Sequence, residues 1–174
     1  MIEFTHIKYG VAISLVAILF GIFMGLSFGC CEDMFKDKFK QDAQAALSTV
    51  YKGDKALADK VASKSWVYMK RAHLHSQTMG VIAIVFSILA AWLKFPRIQQ
   101  LGISLLGGIG SLGYGVFWLL AGFLAPGMGS TGKAKNTVEL IAQASAGSFF
   151  IAAVALFCLL AYRMFSKQPA VKVK

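Results

Sequence analysis

Residues 9–31 read YGVAISLVAILFGIFMGLSFGCC, and no charged side chain occurs between Lys8 and Glu32. A helix that crosses the hydrocarbon core of a membrane needs about 20 apolar residues, and this stretch supplies one such helix. Three more uncharged stretches of similar or greater length follow it, at 72–93, 98–132 and 140–162. The sequence therefore predicts four transmembrane helices, near 9–30, 73–94, 99–124 and 137–162.

The composition excludes an ordinary soluble domain. Hydrophobic residues make up 57% of the chain, charged residues only 15%, and the mean hydropathy is +0.63, whereas a soluble domain needs about 25% charged residues. The net charge of +10 would favour nucleic acid binding in a soluble protein. Next to membrane spans, basic residues instead meet anionic lipid headgroups. We therefore expect the lipid bilayer and other membrane protein subunits as partners, and no nucleic acid.

We predict an all-α integral membrane protein with a single domain over residues 1–174, in which four transmembrane helices form a bundle. The long connection between helices 1 and 2, residues 32–72, carries apolar residues at helical spacing with Lys and Asp between them: Phe35, Phe39, Ala43, Ala46, Leu47 and Val50. Gly53-Asp54 interrupts this pattern. The connection therefore predicts two amphipathic helices that lie along the membrane or pack on a partner, and a solvated loop is the alternative.

Small residues recur on single faces of helices 1 and 3. Helix 1 carries Gly21, Gly25 and Gly29 at four-residue spacing, and helix 3 carries a broader set: Ser104, Gly107, Gly108, Ser111 and Gly115. Helices associate in lipid mainly through close packing at such residues, so these faces predict tight helix pairs. A glycine-lined pore is the functional alternative.

Four crossings place both termini on one side of the membrane. The side with the termini and the second connection holds seven Lys or Arg and one acidic residue, and the other side holds eleven and seven. A strict count of Lys and Arg puts the long connection in the cytoplasm. The short basic connection and the basic tail favour cytoplasmic termini, and we adopt that orientation, in a bacterial inner membrane.

The sequence lacks common catalytic motifs. The chain has no G-x-S-x-G, no H-E-x-x-H and no phosphate-binding loop with its lysine. Within the predicted spans the only Asp, Glu, Lys or Arg residues are Lys94 and Glu139, both near helix ends. Pumps and coupled transporters need ionisable groups at membrane depth. We therefore expect neither an enzyme nor a coupled transporter.

Ligand-type side chains gather on one membrane face, because helix 1 ends with two cysteines where helix 2 begins with two histidines. Thiolate and imidazole suit copper(I), haem iron or zinc. His73 and His75 point about 200° apart on a helix, so they cannot face one ion jointly. The candidate metal ligands are Cys30, Cys31, His73 and His75, and the candidate cofactor-binding residues are His73, His75, Gln77 and Met79. A belt of interfacial polar residues without a ligand is the alternative.

Residues 72–80, AHLHSQTMG, carry the pattern A-H-x-H-x-x-x-x-G at the start of helix 2. This pattern resembles the histidine-bearing helix of small bacterial membrane proteins related to the haem–copper oxidase catalytic subunit. The resemblance covers nine residues and implies that His73 or His75 ligates a haem iron or copper. Because helices 3 and 4 carry no histidine, the opposing ligand would be Met128, a cysteine or a residue of a partner.

Three functions follow from these observations. The first is a non-catalytic integral subunit of a larger membrane complex, of a respiratory or electron-transferring kind. The second is a redox membrane protein that carries haem or copper at His73 or His75, or that offers a quinone pocket near His73. The third is a small-molecule channel or carrier, which only the glycines of helix 3 favour.

Overall fold

The computed structural model describes residues 4–166, which are helical apart from short connections and contain no strand. The five helices are α1 (Lys8–Ala45), α2 (Lys55–Trp92), α3 (Arg97–Met128), α4 (Thr131–Thr137) and α5 (Glu139–Phe165). Four of them, α1, α2, α3 and α5, are long and apolar enough to cross a membrane. The prediction of an all-α chain with four such helices is confirmed. Lys167, Lys172 and Lys174, which entered the prediction of orientation, lie outside the described residues.

The prediction of two helices in residues 32–72 is confirmed, but their separation from the long helices is wrong: the first follows the apolar part of α1 across a kink at Cys31, and the second is continuous with α2. Residues 32–45 continue α1, and residues 55–72 form the first half of α2. Neither glycine nor proline occurs between Gly29 and Gly53, so nothing in that stretch forces the helix to stop at the end of the apolar run. Ion pairs one turn apart also support the continuation of α1, as Glu32–Lys36 at 2.6 Å shows. Only Cys31 departs from helical geometry inside α1, with φ −138° and ψ 31°.

The interruption predicted at Gly53-Asp54 is confirmed. Gly53 has a φ of +85°, a left-handed conformation that glycine adopts at little cost. The Asp54 carboxylate accepts a hydrogen bond from the backbone N–H of Leu57 at 2.9 Å, which caps the start of α2. The chain therefore reverses between α1 and α2 and forms a helical hairpin.

This hairpin has its own apolar core, to which α3 and α4 contribute. We call residues 32–72, the end of α3 (119–128) and α4 the distal lobe. Its buried residues include Phe39, Ala43, Tyr51, Ala58, Val61, Ala62, Ala121, Ala125 and Ala134. The rings of Phe39 and Phe123 lie 5.6 Å apart, and the Tyr51 hydroxyl donates to the Pro126 carbonyl at 2.7 Å. The last turns of α3 thus pack on charged segments of α1 and α2 that extend beyond the apolar stretches.

Tyr51→Phe should loosen the distal lobe by about 1 kcal/mol, because a buried hydrogen bond is lost. Burial also raises the pKa of the Tyr51 phenol above its ordinary value of 10.0, so the fold favours the neutral form. In the wild type, the neutral Tyr51 phenol contributes fully to the stability of the lobe at pH values below the pKa of the unfolded chain. This contribution declines as the pH rises through that value towards the raised pKa of the folded state. Hydrogen exchange of lobe amides at pH 8 and above pH 10 measures both effects. Equal exchange in variant and wild type at both pH values would contradict the prediction.

The packing prediction for helix 1 is confirmed at two of its three glycines. A Cβ added at Gly21 would lie 2.5 Å from Cγ of Gln77, and one added at Gly25 would lie 2.6 Å from Cε1 of His73. At Gly29 an added Cβ would meet nothing within 4 Å. The contact between α1 and α2 therefore includes Gly21 and Gly25, and Gly29 is not part of it.

The packing prediction for helix 3 is confirmed towards α1 and α2, and a further contact with α5, through Gly110, was not predicted. A Cβ added at Gly107 would lie 3.2 Å from Cβ of Ala83 in α2, and one added at Gly108 would lie 2.6 Å from a carbonyl of α1. On α5, a Cβ at Gly110 would lie 2.8 Å from the carbonyl oxygen of Ser145. Helix α3 therefore contacts each of the other long helices through positions without a side chain.

The start of α1, the α2–α3 connection and the end of α5 lie together, at what we call the proximal end. The Ser104 hydroxyl donates to the Ile7 carbonyl at 2.9 Å, and the Arg163 guanidinium donates to the Leu93 carbonyl. Both ends of the described chain are therefore on the same side. Helix α5 begins at Glu139 and continues to Phe165, three residues past its predicted end.

Candidate functional site

His73 contacts α1. Its Nδ1 lies 2.6 Å from the Gly21 carbonyl oxygen, and its ring fills the space that Gly25 leaves without a side chain. A carbonyl only accepts hydrogen bonds, so Nδ1 carries the proton, and in the neutral ring Nε2 keeps a free lone pair. The ring of Phe28 approaches the imidazole edge-on, with centroids 6.0 Å apart. His73 is therefore fixed in orientation by α1.

His75 faces α3 instead. Its ring lies 5.1 Å from the ring of Tyr114 and is stacked at 6.2 Å on Trp118. The prediction that His73 and His75 point in different directions is thus confirmed. Their different neighbours follow from the 100° step of a helix, which turns positions two apart to nearly opposite sides.

The face of α2 that carries His73 is occupied by α1. The Cγ atom of Gln77 lies against Gly21, and a Cβ added at Gly80 would lie 2.7 Å from Cγ1 of Ile18. Met79 is half-buried. Close contact with α1 therefore takes up the room beside Gln77 and Gly80.

The two cysteines lie at the point where α1 leaves its regular geometry. Cys30 is exposed, Cys31 is half-buried, and the Cys30 thiol donates to the Ser27 carbonyl at 3.5 Å. Among residues 4–166, no group of three or more His, Cys, Asp or Glu side chains is placed to hold a metal ion. The metal ligand set predicted from the sequence stays a prediction.

A cluster around Arg71 went unnoticed in the sequence. The Arg71 guanidinium lies 4.8 Å from the ring centroid of Trp118 and 5.6 Å from that of Tyr68, and such cation–π contacts hold a cation against an aromatic face. Tyr68 and Arg71 are three residues apart on α2, which is a detectable signal. Trp118, 47 positions further along the chain, could not be paired with them without the fold.

The distal lobe also contains a cavity of about 330 Å³ between α1 and α2, which we call the distal groove. It is lined by Lys36, Lys40, Asp59, Ala62, Ser63 and Trp66. The Lys36 ammonium lies 5.8 Å from the ring centroid of Trp66. Its hydrogen bond with Glu32 raises its pKa above the ordinary value, so it stays cationic. The groove thus offers a cation and an aromatic face side by side.

Comparisons with protein-family models, with curated proteins and with solved structures find no match for this chain.

Proposed function

We propose that this chain is an integral membrane protein, a non-catalytic subunit of a larger membrane complex, and that its distal lobe docks a partner protein. The lengths of the helices support the first part. Helices α1 and α2 contain 38 residues each, or about 57 Å at 1.5 Å per residue. A hydrocarbon core is only about 30 Å thick. Each helix therefore has enough length to cross a membrane and to build a lobe outside it.

The distance between the charged or interfacial residues that would mark the two membrane boundaries is also similar in the four long helices. Four segments, one in each long helix, rise about 32–36 Å along the helix axis. Charged or interfacial residues bound them: Lys8 to Cys31, Arg71 to Lys94, Arg97 to Trp118 and Glu139 to Arg163. At the distal boundary Arg71 stacks on Trp118, and both residue types are common at headgroup level. This agreement supports four crossings arranged as a bundle, with the last turns of α3 outside the lipid.

The distal groove is the observation that carries the docking proposal. Lys36 is already paired with Glu32, whereas Lys40 has only a long, exposed contact of 3.6 Å with Asp37. Lys40 and Trp66 therefore suit a partner segment with a carboxylate next to an apolar side chain, because the ammonium pairs with the carboxylate and the ring contacts the apolar group. Exposed apolar side chains on the same lobe, such as Met34 and Leu57, enlarge the surface that a partner can cover.

Lys40→Glu combined with Ser63→Phe should lower the recovery of a co-purified partner about tenfold or more. The first change places a like charge against the partner's carboxylate, which costs several kcal/mol at an interface, and the second fills the groove. Lys64→Glu is the control, because Lys64 is exposed on α2 and does not line the groove. Quantitative mass spectrometry after purification in mild detergent measures the recovery. A wild-type chain that purifies alone, or equal loss in the control, would contradict the proposal.

For localisation we propose a bacterial inner membrane with both termini in the cytoplasm. The described proximal end supports this orientation, since its charged residues are Lys8, Lys94, Arg97 and Arg163 and its described part contains no acidic residue. Short basic segments of this kind favour the cytoplasmic side. Fusion of a folding reporter to the C-terminus tests the orientation.

A second candidate function, a redox protein with haem or copper at His73, is favoured by one observation. Ligating histidines usually donate the other ring N–H to a carbonyl or carboxylate, and His73 donates Nδ1–H to Gly21. An absorption spectrum and metal analysis of wild type, His73→Ala and His75→Ala test it. A wild-type protein that contains neither haem nor metal would reject this candidate. The channel or carrier alternative receives no support, because Gly107, Gly108 and Gly115 of α3 lie against other helices.

A further inference from the structure

A second cavity, of about 410 Å³, lies at the proximal end between the α2–α3 connection and the end of α5. We call it the proximal cavity. Its volume is in the range of small-molecule sites. Phe95 and Leu159 give it an apolar side, and Lys94 and Arg163 give it two cations. This combination differs from the distal groove, in which an aspartate accompanies the lysines.

Arg163 is held in place by the end of α2. Its guanidinium donates to the Leu93 carbonyl, one of the carbonyls that a helix C-terminus leaves without an internal partner. A guanidinium has five N–H donors, so one bond to a carbonyl leaves most of them for a ligand. Arg163 is therefore oriented beside the cavity before any ligand arrives.

Lys94 is fixed by the same helix end. It has a φ of +54°, its N–H donates to the Ala91 carbonyl, and the N–H of Phe95 donates to the Ala90 carbonyl. This is the Schellman arrangement that ends many helices, in which glycine usually takes the left-handed position. Glycine would be less strained at this backbone position, but Lys94 adds an ammonium at the cavity wall.

The charges of the proximal cavity are not compensated within residues 4–166. Every described carboxylate lies in the distal lobe or at the start of α5, and the lining contains none. Gln99 also lines the cavity, and its Oε1 is buried without a hydrogen-bond partner in the described chain. The cavity thus combines two cations without a carboxylate partner and an apolar side.

We propose that the proximal cavity binds the headgroup of an anionic phospholipid such as phosphatidylglycerol. The phosphate pairs with Arg163 and Lys94, and the acyl chains follow the side of Phe95 and Leu159. Basic pockets between helices at the cytoplasmic surface bind anionic headgroups in this way. The inference rests on the membrane insertion proposed above, because only then is the cavity at headgroup level.

Lys94→Gln with Arg163→Gln should weaken the apparent affinity for phosphatidylglycerol about 30-fold, since each cation near a membrane surface contributes about fivefold. Arg97→Gln is the matched control, because Arg97 is exposed at the same end and does not line the cavity. Native mass spectrometry of the full chain with equimolar phosphatidylglycerol and phosphatidylcholine measures bound lipid. Lys94→Gln alone, at about fivefold, provides the test if loss of the Arg163 cap prevents folding.

Four other results would contradict the lipid site or the membrane insertion on which it rests, and each points to a different cause. Equal loss in Arg97→Gln means general charge attraction and rejects the site. Displacement of phosphatidylglycerol by millimolar inorganic phosphate means a free-anion site and also rejects the lipid. Release of the wild-type chain from membranes by alkaline carbonate rejects insertion itself, and with it the proposed function. A carbonate-resistant chain that binds both lipids equally rejects only the lipid site.

Discussion

Gly25→Leu is expected to lower the free energy of unfolding by about 3 kcal/mol, which corresponds to a fall in Tm of about 6–12 °C for a chain of this size. An added Cβ already lies 2.6 Å from the imidazole of His73. The leucine must push that ring aside, and the bond from Nδ1 to the Gly21 carbonyl is then lost. Thermal unfolding of the detergent-solubilised protein measures the shift.

Gly29→Leu is the matched control for this prediction. It makes the same substitution one turn further along α1, where an added Cβ meets nothing within 4 Å. Exposed leucine is a good helix former, so the control should keep the wild-type Tm within about 2 °C. Equal shifts in Gly25→Leu and Gly29→Leu would show that the α1–α2 contact does not depend on the missing side chain.

Gly10→Ala should be at least as damaging, although it adds one carbon atom. That carbon would fall on the backbone and hydroxyl of Ser104 in α3, and backbone cannot rotate away as a side chain can. We expect a loss of about 3 kcal/mol or more, with the Ser104–Ile7 hydrogen bond broken. Gly102→Ala is the control, since its Cβ meets nothing within 4 Å.

Adding Ser104→Gly to Gly10→Ala tests whether the loss of stability comes from a clash with the Ser104 hydroxyl or with its backbone. It removes the hydroxyl but leaves the Ser104 carbonyl group, which is also in the way, so it should not restore Tm. Full rescue would show that the side chain alone is the obstacle. Size-exclusion chromatography of each variant separates loss of packing from aggregation.

The number of long helices could be predicted from the sequence because apolar length between charges is a local property. The ends of those helices could not. In α3, residues 119–125 are as apolar as the stretch before them, so composition does not reveal that they pack against the hairpin. Nor does the pattern in residues 32–45 distinguish a helix lying on a membrane from one that continues α1, because both have one apolar face.

Part of the candidate site was also predictable. The opposite directions of His73 and His75 follow from helix geometry alone. Their neighbours do not, because Gly21 and Tyr114 are brought to them by tertiary contacts. Gly25 and Gly29 have the same spacing in the sequence, yet only Gly25 has a side chain opposite it. Spacing predicts which face contacts a neighbour, but not where along the helix that contact ends.

The difference between α1 and α2 has a mechanical consequence. Within the described residues α2 runs without an irregular position from Lys55 to Trp92, whereas α1 is interrupted at Cys31. Where two long helices lie side by side and only one is interrupted, the interrupted helix bends at that position and the other moves as a rigid body. A partner that pulled the tip at Asp54 sideways would bend α1 at Cys31 but would swing α2 as a unit. Force applied at the tip of the distal lobe would in this way move Lys94 at the proximal end.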